Sequence, residues 1–294
     1  MVEAVARHGQ STAPGTGHSA AGSAPPSIYD GIRQNNIEVR IARTAAEIAA
    51  AQRLRYKIFY GEMNARPTAE VEAEGRDFDK FDAYCEHLLV LDHSEGLPEG
   101  EVIGTYRLLR RTLADRHDGF YTATEFDIAP LVAVPGEIME LGRACVDARF
   151  RNRPTMQLLW RGIASYVQFH DVKIMFGCAS LPGTDPAALA RPLSYLHYNH
   201  LAPAQIRARA LPDRFVPTDI LPSGEVDAEA AVAELDARAT IAALPPLIKG
   251  YLRLGGFIGD GAVIDPEFQT TDVCIIVVTD MMAEKYFNHY IRTP

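Results

Sequence analysis

The sequence predicts an α/β fold of mixed (α+β) type, with one central sheet of parallel and antiparallel strands and helices on both faces. Three observations predict it. Residues 137–146 read as a buried strand that runs through a basic turn into a helix opened by Pro154. Short apolar runs stand in pairs on either side of that unit, as antiparallel neighbours do, while helical periodicity recurs between them. No G-x-G-x-x-G follows a strand, which sets aside a dinucleotide fold.

Taken in order, residues 1–30 are rich in Ala, Gly, Ser and Pro and read as a disordered tail without a signal peptide. Residues 37–41 give the first strand. Thr44-Ala45-Ala46-Glu47 has a capping-box pattern, and Ile48, Ala51, Leu54 and Ile58 mark one face of the helix behind it. That helix ends near Gly61, and a polar loop runs to about Gly75. Residues 86–91 and 101–109 read as paired strands, and 112–136 as loop with a short helix. Beyond the central unit, 172–178 is another buried strand. Residues 187–250 read as a mostly helical insertion, with helices over 193–209 and 227–244. Gly259-Asp260-Gly261 marks a tight turn, 262–265 and 273–278 form a closing hairpin, and 281–294 carries a last helix. The expected organisation is a single domain over 37–280.

Composition narrows the function. Of 294 residues, 47% are hydrophobic and 23% charged, enough for one large core. A net charge of -9 argues against a protein that coats nucleic acid. Arginines nevertheless crowd the central unit, at 143, 149, 151, 153 and 161, which suggests a specific anionic partner. Cys85, Cys145, Cys178 and Cys274 form no C-x-x-C pair and read as reduced residues of a cytoplasmic protein. No histidine stands beside Cys145 in sequence to support an acyl-enzyme. His197 and His200 read as ordinary helix residues, so no metal site is expected. No apolar run of about 18 residues spans a membrane.

The central strand carries Glu140, Gly142 and Arg143. A spacing of three puts Glu140 and Arg143 on opposite faces of a regular strand, whereas a bulge near Gly142 brings them to one face and frees a backbone N–H. The turn after it, with Arg149, Arg151 and Arg153, leads into a helix N-terminus suited to a phosphate. Structurally, the same pair reads as an ion pair holding a core strand. Asp77, Asp79 and Asp82 lack the glycine and distal glutamate of an EF-hand loop. They read either as an acidic subsite for a cationic amine or as caps of a solvated turn. Arg107, in an apolar strand, demands an anionic partner, which these aspartates could supply.

Several blocks in order carry a resemblance over about residues 37–280. They are Leu54-Arg55-Tyr56-Lys57-Ile58-Phe59, Asp77-x-Asp79-x-x-Asp82, Gly104-Thr105-Tyr106-Arg107-Leu108-Leu109, Glu140-Leu141-Gly142-Arg143-Ala144-Cys145-Val146, Leu247 to Arg253, and Gly259 to Val273. The sequence resembles the GNAT acyltransferase fold, and within it the ornithine N-acyltransferases of bacterial ornithine-lipid synthesis, often labelled "haemolysin-like". Acyl-homoserine-lactone synthases look like cousins, sharing the patterns at Arg55/Phe59, Asp77/Asp79/Asp82, Arg107 and Glu140/Arg143. The resemblance implies transfer of a (3-hydroxy)fatty acyl group from acyl carrier protein to the α-amine of L-ornithine, with no bound cofactor beyond the carrier's 4′-phosphopantetheine arm. It implies Glu140 as base, Gly142 as oxyanion donor and Arg143 as a positioning group. Arg55, Phe59, Asp77, Asp79, Asp82 and Arg107 would shape the amine pocket, and Arg149, Arg151 and Arg153 would meet the carrier. The lyso-lipid product implies loose contact with the inner membrane. Two departures stand out: the turn Arg151-Asn152-Arg153-Pro154-Thr155 lacks the glycines of an acetyl-CoA loop, and Gln269 stands where asparagine is expected. Acylation of another amine, as in homoserine-lactone synthesis or on glycine or serine, and a non-enzymatic membrane-binding role are the alternatives.

Overall fold

The computed structural model describes residues 27–94, 96, 99–220 and 237–281. The expected tail up to residue 26, the first half of the helix at 227–244 and the helix beyond Met281 lie outside them. In chain order the described elements begin with β1 (Ile32–Gln34), β2 (Ile37–Ile41), α1 (Ala45–Tyr56), α2 (Ala69–Glu74), β3 (Glu86–Asp92), β4 (Glu101–Arg110), α3 (Arg111–Ala114), β5 (Phe126–Asp127) and α4 (Ala129–Val132). They continue with β6 (Glu137–Val146), α5 (Arg153–Phe169), β7 (Val172–Pro182), α6 (Ala190–His200), β8 (Arg209–Ala210), α7 (Ala237–Ala243), α8 (Pro246–Arg253), β9 (Phe257–Ile258), β10 (Val263–Asp265) and β11 (Thr270–Val278).

The main sheet runs β1-β2-β3-β4-β6-β7-β11-β10, with β9 also pairing β11. Among its ladders only β6–β7 is parallel, so the sheet is mixed, as expected, and its one parallel step is crossed by α5. Helices cover both faces. Ala51 of α1 packs on Leu89 and Leu91, whereas Leu158, Leu159 and Ile163 of α5 pack with Leu88 and Val90 on the opposite side. The block Leu247 to Arg253 is α8, whose Tyr251 meets Trp160 of α5 edge-on at 5.3 Å.

Local signals explain most boundaries. Thr44 accepts from Glu47 N while Glu47 accepts back from the Thr44 amide, closing the capping box of α1. Asn152 caps α5, placing Pro154 in its first turn. Several expectations need correction. α1 runs on past Tyr56 as a wider turn of helix, Lys57–Glu62, and so ends near Gly61 as expected, but the expected loop before Gly75 contains α2, capped by Thr68 and ended by Gly75 in the left-handed region. A helix over 193–209 stops at His200, ahead of Pro203, and the chain then adds β8 to β5 as a second, two-stranded sheet. The insertion is therefore less helical than expected between 201 and 220. Among the described residues no helix is long and apolar enough to cross a membrane.

Candidate active site

The site is built where β6 breaks its pairing on both sides. Toward β4, Thr105 pairs with Cys145 and Arg107 with Gly142, so Arg143 and Ala144 together oppose Tyr106. This is the expected bulge, and Arg143 takes it with φ 50°. Toward β7, the ladder ends at Glu140 and Phe176, while β7 continues in register with β11 as far as Pro182. The far half of β6 therefore has β4 on one edge and a wedge on the other. The bulge turns Glu140 and Arg143 to one face, where both meet Tyr121: its amide donates to Glu140 Oε2 at 3.0 Å, and the Arg143 guanidinium stands over its ring at 5.2 Å.

Arg143 and Glu140 are not each other's partner. Arg143 reaches Asp79 Oδ2 at 3.2 Å and Asp77 Oδ2 at 3.4 Å, and lies 4.7 Å from the centre of the Phe268 ring. Arg55, wholly buried in α1, donates to Asp77 at 2.7 Å and to both Asp82 oxygens at 2.8 and 3.0 Å. Arg107 donates to Asp79 at 2.6 Å and to Asp82 at 3.2 Å. Three guanidiniums thus neutralise three carboxylates. Burial alone would raise the Asp82 carboxyl, but Arg55 and then Arg107 override it and hold the group well below the usual carboxylate range. Phe59 packs edge-on against Phe268 at 5.6 Å, closing the network from the α1 side. The strand arginine has the anionic partners that its burial demands, and the aspartates retain no surplus charge.

Glu140 is buried and accepts from Tyr121 N, Thr122 N and the Thr122 hydroxyl, which bind the 121–124 turn to β6. Burial pushes its carboxyl up, against the pull of the Thr122 bonds and Arg107. Gly142 sits across the ladder from Arg107. Burial pushes the Cys145 thiol up to about 12, which makes it a poor nucleophile.

At the mouth of the wedge, Arg149 pairs with Asp147 and Glu101, and Arg151 pairs with Glu62 while donating to Val146 O. Arg153 opens α5, whose Thr155 amide is already taken by the Asn152 cap. Gln269 has φ 56° in the β10–β11 turn, a left-handed position that asparagine tolerates better than glutamine.

Sequence reasoning missed Tyr121, Thr122 and Cys178, which line the same face. It also missed Glu125, Asp265 and Asp272, buried carboxylates whose oxygens lie within 4.8 Å of one another. Asp265 and Asp272 belong to one hairpin, within the block Gly259 to Val273, but Glu125 comes from a distant stretch that no spacing links to them.

A family model described as an acetyltransferase (GNAT) domain matches residues 54–161. An L-ornithine N(alpha)-acyltransferase of Agrobacterium fabrum is 47% identical over 88% of this chain and 86% of its own length. One of Rhizobium meliloti is 45% identical over 87% of this chain and 84% of its own. An N-acyl amino acid synthase from uncultured soil microbes covers 83% of this chain and 91% of its own, at 10% identity and a TM-score of 0.45.

Proposed function

We propose that this chain, which belongs to the L-ornithine N(alpha)-acyltransferase family, acylates the α-amine of L-ornithine from an acyl thioester carried on acyl carrier protein. The observation that carries the mechanism is the doubly interrupted strand β6, which sets an acid, a cation and an unpaired strand edge around one wedge. The thioester enters between β6 and β7. The amine nitrogen attacks its carbonyl carbon, the oxyanion is received by backbone N–H at the bulge near Gly142, and the C–S bond then breaks to expel the thiolate, which leaves as the thiol with the proton that the attacking nitrogen gives up. An α-amine titrates at roughly 8, so it must give up a proton before it attacks. Glu140 takes that proton, directly or through water; burial raises its affinity for one. Arg143, Arg107 and Arg55 hold the aspartates and aromatic rings that shape the acceptor side. The absence of glycines in the turn before α5 suits a carrier-borne pantetheine arm better than free acetyl-CoA.

The test mixes purified protein with 3-hydroxyacyl carrier protein and a pool of amino acids and reads product mass. Ornithine gaining one acyl group is the expected product; a different acylated amino acid, or none, rejects the assignment of acceptor. For the base, Glu140→Gln should lower kcat by roughly 100-fold or more and remove the acid limb of its pH profile. An unchanged kcat with a raised KM for the carrier would sink that role.

A further inference from the structure

We propose that Glu125, Asp265 and Asp272 form the subsite for the side-chain ammonium of the acceptor, and so select a diamino acid; the inference rests on the acceptor reading above. Glu125 follows the 121–124 turn, Asp265 ends β10 and Asp272 lies on β11. All three are buried, at 2%, 7% and 5% exposure. Tyr121 and Cys178 donate to Glu125, each at 3.2 Å, and Asp265 Oδ1 accepts from Glu267 N and Phe268 N. Among the described residues none of the three has an ion pair with Lys or Arg. Arg214 is the cation that Glu125 feels most, but its guanidinium donates to the carbonyls of Thr124 and Ile264.

Two further atoms point to a missing cation. Among the described residues, Asp272 Oδ1 and the Thr270 hydroxyl are buried and make no well-formed hydrogen bond. Unpaired buried polar atoms are costly, and a donor supplied from outside removes that cost. Burial, followed by repulsion from Glu125, pushes the Asp272 carboxyl up to about 7, although the neighbouring Thr270 and Ser180 side chains pull it down. Asp77, Asp79 and Asp82 cannot serve a second amine, because three arginines already neutralise them. The new cluster is also in the right place. Cys178 Sγ lies 3.9 Å from the Thr122 hydroxyl, which bonds Glu140, and 3.2 Å from Glu125. Only the Thr122 and Cys178 side chains therefore stand between Glu140 and the cluster along this chain of contacts. Three methylenes separate the two nitrogens of ornithine by about 6 Å when extended, from ordinary bond lengths. A primary ammonium has three N–H donors for three carboxylates, whereas calcium would need about six to eight oxygens.

The test compares L-ornithine with L-norvaline, which has the same chain without the second amine. Wild-type protein should prefer ornithine by roughly 100-fold or more in kcat/KM, as a site built to hold a polar group rejects the analogue lacking it. In Asp272→Asn and in Glu125→Gln that preference should fall at least tenfold, mainly through the ornithine KM. A preference that survives both substitutions overturns the subsite, while acylornithine formation by the same wild-type protein leaves the proposed reaction standing. Failure of wild type to acylate ornithine at all removes the reaction first and the subsite with it. Binding gives a readout that needs no variant: ornithine should raise the Tm of the wild-type protein and norvaline should not. Equal shifts by both, or a shift produced by calcium or magnesium alone that ornithine does not compete away, would overturn the proposal.

Discussion

At the scale of single residues, Arg55 is a guanidinium committed entirely to the interior. It is wholly buried, and such a guanidinium survives in an apolar helix face only because Asp77, Asp82 and the Asp77 carbonyl absorb its donors. Removing one partner leaves buried charge uncompensated. Arg55→Leu should therefore cost about 3–5 kcal/mol in urea denaturation. A loss under about 1 kcal/mol would mean that water or Arg107 and Arg143 replace it. The pH dependence carries the same signature. Asp82 is depressed in the folded state, so its contribution is present above the unfolded carboxylate value near 3.9 and is lost as pH falls toward the folded one. Wild-type stability should drop below about pH 4, and the drop should be shallower in Arg55→Leu, whose aspartate is already less depressed.

At the scale of elements, the wedge depends on how closely β6 and β7 approach just before they part. A side chain at Gly177 would collide with the Leu141 carbonyl oxygen, backbone that has no rotamer to yield. Gly177→Ala should force the strands apart and cost on the order of 1–3 kcal/mol, with a raised KM for the thioester donor. An unperturbed Tm and KM would show that the strands have slack at the apex of the wedge. The bulge and the caps were legible because their causes are local: Glu140, Gly142 and Arg143 stand within four residues, and Thr44 finds Glu47 three residues on. β1 and α2 were not, since three- and six-residue polar segments carry too little periodicity to register. The helix expected past His200 failed for another reason. Its apolar residues serve β8 and bridges to the 258–262 stretch, partners fixed by the tertiary fold. The same limit governs the site. In sequence Asp77, Asp79 and Asp82 offer a partner for Arg107 alone, and only the fold brings Arg55 and Arg143 to them as well.

At the scale of the whole molecule, the proposed acidic carrier would have to approach a protein of net charge -9 against its long-range field. Such docking would call for a local basic surface, and Arg149, Arg151 and Arg153 follow directly on the end of β6. The first two already hold acids, Asp147 and Glu101 for Arg149 and Glu62 for Arg151. Arg151 and Glu62 are both partly open to solvent, and pairs of that kind contribute only about 0–1 kcal/mol, so the guanidinium can change partner at little cost. If it does so toward the carrier, Arg151→Glu replaces attraction by repulsion from both the carrier and Glu62. The KM for acyl carrier protein should rise roughly 5–10-fold while Tm stays within a few degrees, because little stability resides in the pair. Added salt should raise the wild-type KM and lower that of the variant, since screening weakens attraction in one and repulsion in the other. An unchanged KM, or the same salt dependence in both proteins, would remove Arg151 from the docking surface and leave Arg153 and α5 as the place to look.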